Sequence, residues 1–86
     1  MNTASLLAHA LDLAQRLGYQ VRQEWLDGNG GGFCELKGRK VLFVDLAQGP
    51  AEQFELVLDA MRHEPEAIDL PMPHPLRELL TVRKSA

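Results

Sequence analysis

From Thr3 to Leu17 the apolar residues Leu7, Ala10, Leu11, Ala14 and Leu17 recur at helical spacing, and Leu6 and Leu13 widen the stripe. Asn2, Thr3 or Ser5 can cap the start, and Gly18 suits the left-handed position that ends a helix. The period then changes. In "YQVRQEWL", Tyr19, Val21, Gln23 and Trp25 alternate with Gln20, Arg22 and Glu24, the pattern of a half-buried strand. "FCELK" and "KVLFVDL" read as two more strands around Gly38-Arg39, a glycine-first link that suits a type II′ hairpin. The last strand is apolar on both faces, as expected of a central or best-covered strand. Helical spacing returns in "QGPAEQFELVLDAMRHEP". Pro50 sits in the first turn, Glu52 and Glu55 lie early, Arg62 and His63 late, and Phe54, Val57, Leu58 and Met61 form the buried stripe. Residues 65–75 are proline-rich and read as a strap over the surface, and "PLRELLTV" as a short third helix carrying Leu76, Leu79 and Leu80.

This order predicts a single small α+β domain over residues 1–86. A three-stranded antiparallel meander carries an N-terminal helix and one or two C-terminal helices, packed mainly on one face. The other face is expected to show Gln20, Arg22, Glu24, Glu35 and Lys37. At 86 residues the chain buries a modest core, and association is a plausible supplement.

Composition narrows the classes. At 45% hydrophobic and 24% charged, the sequence lies outside the disordered range. The net charge of -3 argues against nucleic acid, which is held through phosphate contacts. The basic residues Lys37, Arg39 and Lys40, and Arg83 and Lys84, lack interleaved aromatics and read as solvated ends. One cysteine forms no internal disulfide, so a reducing compartment is the simpler expectation. The first stretch carries Asp12 and Arg16 rather than a basic leader, and no apolar run reaches the ~20 residues of a membrane span. The expected location is cytoplasmic, with no membrane partner.

Candidate chemistry gathers in "LDGNGGGFCELKGRK", which holds five of the seven glycines and the only cysteine. Neither the P-loop spacing nor Gly-x-Gly-x-x-Gly is met, and the stretch leads into a strand. Phosphate motifs open a helix whose N–H groups hold the anion. A turn or bulge is the simpler reading. Three glycines in succession exceed what a turn needs, and they point to close approach of another backbone, a neighbouring chain being one source. Cys34 needs a base to act as a nucleophile, and no motif places His9, His63 or His74 beside it. Cys34, His63, Glu64 and His74 lack the close Cys/His pairs of a zinc site. Asp45, leaving the end of a buried strand, fits a catalytic acid or a turn cap equally. No cofactor motif is present, so none is expected.

"GGGFCELKGRKVLFVDLAQGPAEQFELVLDAM" resembles a set of small bacterial proteins of unassigned activity with a Gly-Gly-x-Cys segment, a hairpin, an apolar strand and a Pro-started helix. That likeness covers about a third of the chain and implies a bacterial origin and a shape, without a reaction. A fainter similarity runs to small zinc peptidases, in which the matching helix carries His-Glu-x-x-His. Here "FELVLDAMRHEP" has His63-Glu64 at its end and no second histidine, which removes the zinc and the general base. At most this implies a degenerate, non-catalytic relative.

The leading expectation is a non-enzymatic protein that binds itself, as a homodimer, or another protein. Trp25, Leu26, Ile68, Leu70 and Met72 are the candidate interface residues. The alternative is an enzyme or small-ligand binder built on Gly30, Gly31, Gly32, Cys34 and Asp45.

Overall fold

The computed structural model describes residues 1–81; the tail pair Arg83 and Lys84 lies outside them. The elements run α1 (Thr3–Arg16), β1 (Gln20–Glu24), β2 (Gly32–Leu36), β3 (Arg39–Asp45), α2 (Pro50–Arg62), a short 3-10 helix (Pro65–Asp69) and α3 (His74–Thr81). Asn2 caps α1 by accepting from the Ser5 N–H at 2.8 Å. Pro50 opens α2 behind Gly49, where its missing N–H leaves no bond unmade.

The fold is α+β, but the sheet is mixed, in the order β1-β3-β2. β2 pairs antiparallel with β3, whereas β1 pairs parallel to it, Gln20 beside Val41 through Glu24 beside Asp45. The expected meander fails because it would set β2 in the middle. The strand that is apolar on both faces gains more from neighbours on both sides, and it takes the centre. β1 therefore ends, and β2 begins, at the same end of the sheet, one strand apart. Residues 25–31 bridge them by crossing the C-terminal end of β3.

The hairpin also differs by one residue. Leu36 pairs with Arg39, so the turn is Lys37-Gly38, with φ of 52° and 77°. Positive φ at both positions makes it type I′, whose twist matches the strands; the expected II′ turn at Gly38-Arg39 would have displaced the pairing.

Alternation and register assign the two faces. Val21, Leu42 and Phe33 share one row, and with Val44 they face the helices. Leu13, Leu42, Leu58, Met61 and Leu76 are fully buried there. Each contributes about 1.5–3 kcal/mol as an upper estimate. The stripe Phe54, Val57, Leu58 and Met61 of α2 is buried as its spacing requires, and Ala10, Leu13 and Ala14 of α1 meet it. The opposite face holds the rows Gln20–Val41–Cys34 and Arg22–Phe43–Gly32. Glu35, expected on that face, sits instead beside Lys40 on the helix side, one step from Cys34. Within the proline-rich residues 65–75, Pro65–Asp69 form the 3-10 helix, and Ala67 among them is buried in the core. No helix among the described residues is long and apolar enough to cross a membrane.

Candidate functional site

The glycine stretch is organised by one carboxylate. Asp45 ends β3 with no exposed surface. Its Oδ1 accepts from the Leu26 N–H at 3.0 Å and the Ala47 N–H at 2.9 Å, and its Oδ2 from the Gly30 N–H at 2.9 Å. Burial pushes this carboxyl up, but the N–H groups of Ala47, Leu26, Gly30 and Gly28 together outweigh it and hold the pKa below the usual carboxylate value. The carboxylate thus fastens residues 25–31 across the sheet end, and its oxygens are occupied by backbone. Gly31 is where the crossing is tightest. A Cβ there would stand 1.7 Å from the Phe43 carbonyl oxygen and 3.0 Å from Leu56 Cδ2. The close backbone that three glycines announced is β3 of the same chain. Gly32 meets nothing within 4 Å.

Two hollows flank the outer edge of β2. On the helix side a cleft of about 510 Å³ runs between β2 and α2, floored by Phe33, Leu42, Leu56 and Ala60. Tyr19 closes one end, its ring edge-on to Phe33 at 5.6 Å. The Tyr19 hydroxyl donates to Glu64 Oε1 at 2.8 Å, and Lys40 Nζ reaches the same oxygen at 3.3 Å while lying 4.7 Å from the Tyr19 ring centre. His63, at the rim, must carry its proton on Nδ1, because that nitrogen lies 2.8 Å from the Asp59 carbonyl oxygen, which only accepts. On the other face a hollow of about 290 Å³ is lined by Leu26, Gly30, Gly31, Gly32, Cys34 and Phe43, with Phe33 at the edge.

Comparison with protein-family models, curated proteins and solved structures finds no match.

The structure brings Gly30 and Asp45 into contact, and Gly30, Gly31, Gly32 and Cys34 into one hollow. No histidine lines that hollow; His63 lines the cleft on the opposite face. Among the expected interface residues, Trp25 is 73% exposed and Ile68 48%. Leu70 and Met72 pack against the core, and Leu26 is half-buried at the hollow. Trp25 follows β1 rather than lying within it. The cluster of Tyr19, Lys40 and Glu64 was invisible in the sequence. Tyr19 and Glu64 are 45 positions apart, so no spacing motif joins them.

The single tyrosine gives this cluster a direct readout. Burial, the hydrogen bond to Glu64 and the negative charge of Glu64 all push the Tyr19 hydroxyl well above the ordinary tyrosine value. Phenolate absorbance should therefore stay silent through pH 10 and rise only at higher pH, together with loss of structure. The sign follows from a raised folded-state pKa: the stabilisation is complete below the unfolded value near 10 and is lost as pH climbs past it. Normal titration in a folded chain would contradict the buried hydroxyl. Tyr19→Phe should cost about 1 kcal/mol in urea denaturation.

Proposed function

We propose that this chain is a non-enzymatic, self-associating protein-binding module whose contact surface is the sheet. The observation that carries this reading is the side of β2 and β3 turned away from the helices, where Val41 is buried but the groups around it stay open. Phe43 and Cys34 are partly exposed there, Leu36 is 51% exposed, and Phe33 at the strand edge is 52% exposed. Arg22 lies over the Phe43 ring, 5.5 Å from its centre, and only partly shields it. Apolar and aromatic groups left open on this side and along the β2 edge favour protein contact over solvent. The alternative centre, at the glycines and Asp45, spends its polar groups inside the loop.

Size-exclusion with light scattering, joined to amide spectra recorded on dilution from sub-millimolar to low micromolar concentration, tests the reading. The expected result is a mass above the 9.6 kDa of one chain at high concentration. Concentration-dependent shifts should fall on Arg22, Phe33, Cys34, Leu36 and Phe43. A strict monomer whose spectrum does not change with concentration sinks it.

A further inference from the structure

We propose that two copies of the chain join through the free edge of β2, antiparallel and in one register, to make a continuous six-stranded sheet. This rests on the self-associating reading above and adds the partner and the register.

The choice of edge follows from the side chains. With β3 in the centre, β1 and β2 each keep one edge unpaired among the described residues. β1 is polar at Gln20, Arg22, Gln23 and Glu24, and Arg22 and Glu24 pair with each other at 2.6 Å. β2 has no proline, no lysine and no break in its register with β3, and it offers Phe33, Cys34 and Leu36. Of the usual protections against strand addition, β2 carries only the charge of Glu35, whereas β1 is polar along most of its length.

The register follows from hydrogen-bond alternation. A type I′ turn closes between the Leu36 carbonyl and the Arg39 N–H, so Leu36, and with it Cys34 and Gly32, direct their backbone groups at β3. Phe33 and Glu35 direct theirs outward. A two-fold pairing must set outward residues opposite outward residues, which leaves three registers. Glu35 opposite Glu35 opposes like charges. Phe33 opposite Phe33 carries Glu35 and Leu36 past the strand end onto Gly31 and Gly30, in the loop. Phe33 opposite Glu35 aligns Gly32–Leu36 with its own copy from end to end, and each Glu35 keeps Lys40 as its neighbour on β3.

That register is self-complementary on the uncovered face. The partner's Leu36 falls opposite Gly32, where the absent side chain helps to open the hollow of about 290 Å³ beside Phe43. Each copy supplies one leucine and one hollow, as a two-fold interface requires. Cys34 falls on the axis opposite the partner's Cys34, in a non-hydrogen-bonded pair. Such pairs have Cα atoms about 4.5 Å apart, inside the range a disulfide spans.

The test uses the full chain and the oxidant diamide. Two Cys34 thiols would give up two electrons and two protons to the diazene, which becomes the hydrazine as the S–S bond forms. The expected result is a chain-to-chain disulfide that forms at least about tenfold faster in the native protein than in urea, with the oxidised dimer keeping native circular dichroism. Glu35→Pro removes an outward N–H that faces no strand among the described residues, so it should fold and associate at least about tenfold more weakly. Leu36→Lys, a surface change that empties the hollow, should do the same and serves if the proline variant does not fold. A dimer that survives in the folded variants and resists diamide overturns the strand pairing and leaves the binding reading standing. A monomer at every concentration overturns both.

Discussion

Gly31→Ala is expected to destabilise the chain by about 3 kcal/mol or more, against a total of about 5–15 kcal/mol for a typical domain. The cause is one methyl group. Its carbon would lie 1.7 Å from the Phe43 carbonyl oxygen and 2.6 Å from the carbonyl carbon, both in the central strand. Backbone in the middle of a sheet cannot yield by turning a rotamer, so either the crossing loop lifts or β3 loses a ladder bond. Gly32→Ala is the control, because nothing stands within 4 Å of its added carbon. It should stay within about 1 kcal/mol of the parent, with the sign set by lost chain entropy. Urea midpoints at constant m-value read both. Near-equal stability of the two variants would show that the loop does not press on the strand as described.

Asp45→Asn is the second large effect, and it depends on pH. The side chain would keep one acceptor oxygen and turn an NH₂ group toward N–H donors that it cannot satisfy. At pH 7 the expected loss lowers Tm by about 10 °C or more. The sign follows from the depressed folded-state pKa. The stabilisation from the ionised carboxylate is complete above the unfolded value near 3.9 and fades as pH falls through the lower folded value. The parent should therefore lose stability in acid over that window, whereas the variant, already without the charge, should show a flatter curve there. Parallel curves, displaced but of equal slope, would contradict the role given to the carboxylate.

Both effects sit in a stretch whose composition was conspicuous while its purpose was hidden. The helices were legible, because a stripe such as Phe54, Val57, Leu58 and Met61 is a local signal that packing only confirms. Strand identity was legible too, and the two apolar faces of "KVLFVDL" ranked it as the central or the best-covered strand. The order of strands followed from that rank, yet chain adjacency argued for a meander and masked it. The crossing loop settles the conflict. Five residues of polar and glycine character, Asp27 to Gly31, make sense only when a strand passes beneath them, and no local pattern announces that strand. Asp45 read equally as acid or cap for the same reason: its partners, the Leu26 and Gly30 N–H groups, are backbone and leave no sequence signature. The Lys37-Gly38 turn was missed by one position because a lysine at positive φ is uncommon. The cleft around Tyr19 joins residues from β1's threshold, β3 and the end of α2, which only the folded chain brings together.

The parallel pairing of β1 with β3 also sets the order in which the molecule can assemble. Leu36 and Arg39 meet across two residues, whereas Gln20 and Val41 meet only across the whole of β2 and the connections on either side of it. The hairpin and α2 can therefore gather as a local unit, while the N-terminal helix and β1 wait for a surface that the later chain supplies. The same asymmetry runs in reverse. The segment held by one lateral strand contact and by α1 against α2 and α3 is the one the topology releases first, so slow amide exchange should concentrate in β3 and α2 rather than spread evenly through the fold.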